Sequence, residues 1–159
     1  MDSVDNPSLT SFPFQGRLLG IDYGTKRVGL ALSNPEQTIA TPLETYLRRD
    51  EKQDERYLAR IVDEHRIAGL VVGLPVHMSG DEGEKAREAR AFGEWAALAT
   101  GRPLVFHDER YTTAVADEHL RAAHLTPKKR QALRDQLAAQ VLLQSFLESH
   151  HRGERPGAL

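Results

Sequence analysis

Three acidic side chains stand where apolar ones are expected. Asp22 closes the run Leu18-Leu19-Gly20-Ile21. Glu109 closes the run Leu104-Val105-Phe106-His107-Asp108. Asp135 lies in a helical segment whose next apolar residues are Ala138, Ala139, Leu142 and Phe146. At about 100° per residue these four fall within roughly 60° of Asp135, so its carboxylate sits in the apolar stripe. A carboxylate withdrawn from water costs several kcal/mol unless it is paired, hydrogen-bonded or bound to a metal. Three such groups from three separate segments point to a shared divalent-cation site. Two alternatives stay open at this level. Leu133, Leu137 and Val141 form a competing helical face that would leave Asp135 in solvent. Asp108 and Glu109 point to opposite faces of their strand, and alternation does not choose between them.

Cations and hydroxyls flank these acids. Lys26 and Arg27 follow Tyr23-Gly24-Thr25, where a glycine lets a phosphate approach the backbone and a cation can neutralise it. Arg110, Thr112 and Thr113 follow Glu109 and suit a phosphodiester, although Thr113 would serve equally as a helix cap. Ser79, in the loop after Val71-Val72-Gly73-Leu74-Pro75, can offer a hydroxyl to a phosphate. Lys128, Lys129, Arg130 and Arg134 precede Asp135 at a helix start, where cations oppose the macrodipole. A polyanionic partner would offset that cost. The motif segments hold only two aromatic residues, Tyr23 and Tyr111. Base stacking is therefore expected to be limited and sequence preference weak. The histidines show no metal-ligand spacing, and no G-x-x-x-x-G-K-[ST] or G-x-G-x-x-G loop occurs.

The elements that must carry these residues are legible as runs and periods. Leu18–Asp22 and Val28–Ser33 read as a hairpin, and Ala40–Tyr46 as a third strand placed at an edge by Pro42. Asp50–His65 reads as a helix, Gly69–Gly73 as a buried parallel strand and Leu74–Gly80 as a loop. Glu82–Thr100 reads as a helix stopped by Gly101 and Pro103, and Leu104–Asp108 as the fifth strand. Thr113–Ala123 is expected to be helical. Thr126-Pro127 is expected to cap a last helix reaching about His150. A three-strand meander followed by βα units predicts an α/β fold: a mixed five-stranded sheet flanked by helices on both faces. Ligands of such sheets gather at the carboxyl ends of the parallel strands, where Asp22 and Glu109 lie.

Bulk properties narrow the class. The 159 residues suit one domain, 40% hydrophobic and 28% charged, with a formal net charge of −2. Zero cysteines remove disulfides and thiolate zinc sites and fit a reducing cytosol, so a cytoplasmic protein is expected. No run of 18 apolar residues occurs, so no membrane partner is expected. Residues 1–15 read as a disordered leader without a signal-peptide core, 16–150 as the folded domain and 151–159 as a fraying tail.

Four segments resemble the YqgF/RuvX family of bacterial ribonuclease H-like proteins, in the family's order. They are Gly20-Ile21-Asp22-Tyr23-Gly24-Thr25-Lys26-Arg27-Val28-Gly29, Val72-Gly73-Leu74-Pro75, Asp108-Glu109-Arg110-Tyr111-Thr112-Thr113 and the stretch Asp135-Gln136-Leu137-Ala138-Ala139-Gln140-Val141-Leu142-Leu143-Gln144. These proteins are described as Holliday junction resolvases or as pre-16S rRNA nucleases. The resemblance implies a ribonuclease H-like fold and a metal-dependent nuclease in ribosome biogenesis, with a resolvase of branched DNA as the alternative. It implies Asp22, Glu109 and Asp135 as the acidic metal-binding set, choosing Glu109 over Asp108. Two Mg²⁺ or Mn²⁺ ions held by these acids would supply an oriented attacking water and stabilisation of the leaving oxygen. The implied partners are precursor rRNA or branched DNA, and ribosomal particles; monomer and homodimer both stay open. Asp22-Tyr23-Gly24-Thr25 also resembles the first phosphate motif of the actin-like and sugar-kinase ATPases. Those bind nucleotide between two such domains, and one domain of this length is too short for that.

Overall fold

The protein is described from a computed structural model, which describes residues 12–75, 83–108 and 126–149. Its elements are β1 (Arg17–Asp22), β2 (Arg27–Ser33), β3 (Ala40–Leu47), α1 (Glu51–Glu64), β4 (Ile67–Leu74), α2 (Glu84–Thr100), β5 (Leu104–Asp108) and α3 (Pro127–Ser149). The strands form one sheet in the order β3-β2-β1-β4-β5. β1 is antiparallel to β2, and β2 to β3, whereas β4 runs parallel to both β1 and β5. This is the mixed sheet expected from the meander and the βα units. β3 is an edge strand, as Pro42 requires. The register Ile21↔Val72 and Val72↔Phe106 brings the carboxyl ends of β1, β4 and β5 to one end of the sheet.

Alternation along the strands sorts residues to two faces. Leu19 and Ile21 of β1, Val28 and Leu30 of β2, and Leu70 and Val72 of β4 pack against Tyr57, Leu58, Ile61 and Val62 of α1 and Phe92 and Ala96 of α2. On the other face Leu18, Ala31, Val71 and Val105 meet Ala139, Leu143, Phe146 and Leu147 of α3. Both faces are thus covered, and no helix among the described residues is long and apolar enough to cross a membrane.

Local chemistry sets the helix ends. Asp50 caps α1 by accepting from Gln53 N at 2.8 Å. The chain then leaves α1 through Arg66, whose φ of 52° turns it directly into β4. β4 therefore begins at Ile67, two residues before the expected Gly69. α2 begins at Glu84, with Gly83 as its cap, rather than at Glu82, and closes on Gly101 in the left-handed conformation, φ 71°. Thr126 Oγ1 accepts from Lys129 N at 3.2 Å, the expected cap of α3. The helix expected over Thr113–Ala123 lies outside the described residues. Phe12, within the segment read as leader, is 2% exposed. It packs edge-on against Phe146 at 5.9 Å. Gly69, with no side chain, leaves the space the Phe12 ring fills.

Candidate active site

The face of α3 decides whether Asp135 can join Asp22. Ala138, Ala139, Leu142 and Phe146 are buried, whereas Leu133, Leu137 and Val141 are only half-buried. The helix therefore turns the Asp135 stripe toward the sheet, and the competing face lies aside. Two glutamines hold this rotation. Gln144 accepts from Ala40 N at 2.9 Å through Oε1, and Gln140 Nε2 donates to Ala40 O at 3.1 Å. Both reach the start of β3, so α3 is tied to the sheet edge as well as to its middle.

Glycine makes the close approach. A Cβ on Gly29 would overlap the Asp135 carbonyl and lie 2.9 Å from the Asp135 Cβ. Gly29 is also the ladder partner of Asp22 across β1 and β2. Asp22 and Asp135 thus flank the same glycine, one from the adjacent strand and one from the helix above. Gly20 repeats the device further along β1, where a Cβ would lie 2.9 Å from Leu143 Cβ. Asp22 shares the alternation of Leu18, the α3 side, and is half-buried.

Asp135 carries a cation beside it. Arg27 Nε donates to Asp135 Oδ2 at 2.9 Å, with side-chain exposures of 35% and 19%. Arg27, read from the sequence as a phosphate ligand, is here first the partner of a carboxylate. The two residues border a cleft of about 370 Å³ with Tyr23, Gly24, Thr25, Lys26, Pro75, Lys85 and Glu88. The β1–β2 turn forms one wall. It is tight because Gly24 sits against the Arg27 carbonyl, where a Cβ would overlap. Arg48 braces it from just beyond β3, donating from Nη1 to Tyr23 OH at 3.4 Å and to Gly24 O at 3.5 Å. Arg48 in turn meets the buried Asp54 at 3.4 Å. Asp54 also accepts from Tyr46 OH at 2.7 Å and Arg49 N at 2.9 Å. Burial, then the bond to the Asp54 carboxylate, pushes the Tyr46 hydroxyl from 10.0 up to about 12.

The remaining expected site residues separate into groups. Lys26 lies on the cleft wall. Lys128 and Lys129 are exposed on the first turn of α3, with Arg130 and Arg134 half-buried behind them. None of these four lines the cleft. Lys128 stands seven residues before Asp135, roughly 10 Å along the axis. Ser79, Glu109, Arg110, Thr112 and Thr113 lie outside the described residues. Among the described residues no three Asp, Glu, His or Cys side chains form a metal-binding group. Asp108, the rival of Glu109, follows Leu104 and Phe106 in alternation and belongs to the α2 face, away from Asp22. His107 is structural: its Nε2 lies 3.0 Å from Ser145 Oγ, and its ring meets Phe146 edge-on. Lys85 and Glu88 carry no signal in the sequence that marks them for this site. Their spacing of three puts them on one face of α2, but only the packing of α2 beside the turn brings that face to the cleft.

Known proteins similar to this chain bear on its family. The family model described as "RuvX: Holliday junction resolvase" matches residues 16–149. A Rhodopirellula baltica protein named "Putative pre-16S rRNA nuclease" is 43% identical over 158 residues, covering 99% of this chain and 91% of that protein. A Rhodobacter capsulatus protein of the same name is 41% identical, covering 87% of each chain. Among solved structures, Thermus thermophilus RuvC in complex with a Holliday junction substrate superposes with a TM-score of 0.53. It is 16% identical and covers 86% of this chain and 96% of its own. Fowlpox virus resolvase with its substrate junction also gives 0.53, at 14% identity, covering 84% of this chain and 98% of its own. At such identities these likenesses speak for the fold alone, and it is the ribonuclease H-like fold expected from the motifs. The match over residues 16–149 and the relatives' identity together establish that the chain belongs to the RuvX family.

Proposed function

We propose that this chain is a divalent-metal-dependent nuclease that hydrolyses phosphodiester bonds and whose natural substrate is precursor 16S rRNA. The observation that carries the chemistry is the glycine beneath α3. The Asp135 backbone rests on Gly29, and Gly29 pairs with Asp22, which supports a reading in which acids from two distant segments serve one site at the carboxyl end of the parallel strands. Sheets of this class bind ligands there. The relatives' shared name supports the RNA substrate.

The donor set fits a hard cation. Carboxylate oxygens suit Mg²⁺ or Mn²⁺, and the chain has no cysteine to favour a softer metal. Asp22 and Asp135 would hold the metal with Glu109 as the third acid. Bound there, a pair of such ions supplies an oriented, acidified water and stabilisation of the leaving oxygen. The chain's own groups do the rest. Lys26 and Lys85 present ammonium groups to a phosphate entering the cleft. Arg27 offsets the charge of Asp135 and keeps its carboxylate oriented over the sheet. The tight Tyr23–Arg27 turn sets Gly24 and the exposed Thr25 on the cleft wall, where a phosphate can approach.

The test is incubation of the pure protein with labelled precursor 16S rRNA and with a four-way DNA junction, each with Mg²⁺, Mn²⁺ or EDTA. Metal-dependent cleavage of the RNA is expected. Cleavage undiminished in EDTA would overturn the metal mechanism. Symmetric cutting of the junction, much faster than cutting of the RNA, would replace the rRNA assignment by the resolvase activity named in the family's description.

A further inference from the structure

On the far side of Tyr23 lies a second cleft, of about 360 Å³. Tyr23 and Glu88 line both clefts, so the two share a wall. Its walls are aromatic. The Tyr23 and Phe92 rings lie 5.1 Å apart, and Phe92 and Trp95 5.4 Å apart. The Arg48 guanidinium stands over Tyr23 at 5.5 Å and over Phe92 at 5.2 Å. The motif segments contain only Tyr23 of this group. Phe92 and Trp95 come from the middle of α2, whose packing against the sheet delivers them. Phe92 is buried, 7% exposed, and backs the cleft, so the aromatic surface that borders it comes from the half-buried Tyr23 and Trp95.

We infer that this cleft is a stacking subsite for one unpaired base of the nucleic acid, the base of a nucleotide neighbouring the scissile phosphate. The polymer's identity rests on the nuclease reading above; the cleft's chemistry does not. A flat, neutral, aromatic occupant fits what is present. Glu51, Asp54 and Glu88 contribute three carboxylates to the lining against two guanidinium groups, Arg48 and Arg49, so the lining as a whole opposes a phosphate. Arg48 cannot offset them freely, because it already serves Asp54, Tyr23 OH and Gly24 O. A neutral base meets no such repulsion, and base–aromatic stacking tolerates every base because each has a π-face. Trp95 is half-buried, so one part of its ring packs while the rest borders the cleft.

The chain contains one tryptophan, and its fluorescence reports on this cleft alone. The experiment titrates the Asp22→Asn protein with a short oligocytidylate RNA and with an abasic strand of equal length, following tryptophan emission and strand anisotropy together. The expected result is saturable quenching by oligocytidylate and none by the abasic strand, which should bind about fivefold more weakly or worse. Trp95→Phe, which keeps an aromatic face, should hold oligocytidylate within about twofold, and Trp95→Ala should bind it about as weakly as wild type binds the abasic strand. Binding of oligocytidylate without quenching, or equal affinity for the abasic strand, would overturn the subsite even if Trp95→Ala fails to fold. Metal-dependent cleavage with an unresponsive tryptophan would sink this inference and leave the nuclease reading standing. Quenching in a protein that cleaves nothing would do the reverse.

Discussion

At the scale of single residues, the carboxylates are the first to test. Asp22→Asn, Glu109→Gln and Asp135→Asn each keep the side chain's shape and remove its charge. Each should lower cleavage by at least about 100-fold, the order seen when one electrostatic element of a transition state is removed. The fold should survive. The Arg27–Asp135 pair is partly exposed, and pairs of that kind contribute about 1 kcal/mol or less, so thermal unfolding of Asp135→Asn should shift little. A folded, fully active Asp22→Asn would exclude the mechanism. The Tyr46–Asp54 bond makes a separate prediction about pH. The Tyr46 hydroxyl is raised to about 12 in the folded protein, against 10.0 when unperturbed. Its contribution is fully present below pH 10. From there to about pH 12 the unfolded chain gives up the proton first, so stability falls as pH rises. Denaturant titrations of wild type and Tyr46→Phe across that window should show a steeper fall in wild type. At neutral pH, Tyr46→Phe removes a donor from a buried carboxylate and should cost about 1.5–3 kcal/mol.

At the scale of elements, α3 and the β1–β2 hairpin act as one unit joined at Gly29. Gly29→Ala introduces a methyl group where the Asp135 backbone already lies, so the helix must move or the hairpin must bend. Overpacking of this kind costs about 1–3 kcal/mol. Activity should fall beyond what that loss of stability explains, because the shift separates Asp135 from Asp22. A variant equally active at a temperature where it is fully folded would show that the close approach serves packing only. The start of α3 gives a second prediction. Lys128, Lys129 and Arg130 lie outside the cleft, and we propose that they serve binding rather than chemistry. Replacing all three by alanine should weaken nucleic-acid binding and reduce the log–log salt slope by about 0.7–0.9 for each phosphate no longer neutralised. A slope equal to wild type, measured in calcium, would mark the cluster as a solvated helix end.

At the scale of the whole molecule, stacking of one base and engagement of phosphates carry little sequence information. The pure protein should therefore cut naked precursor RNA with weak preference, and accuracy should rise when the RNA is presented within ribosomal particles. Mapping of cleavage ends on both substrates checks this; equally accurate ends on naked RNA would place the specificity in the protein itself. Much of the architecture is legible in the chain alone. Asp22 at the end of an apolar run, Asp135 within an apolar period and Pro42 on an edge strand are local patterns. Local periodicity determines element type, so the chain order of meander and βα units follows. Three things are decided only by tertiary packing. The rotation of α3 depends on Gln140 and Gln144 reaching β3, about a hundred residues away. The pairing of Arg27 with Asp135 spans 108 positions. The meeting of Phe92 and Trp95 with Tyr23 needs α2 laid across the sheet. Spacing along a chain carries the direction in which a side chain leaves its own element. It does not carry the distance at which two elements pack, and here that distance is set by a missing side chain at Gly29.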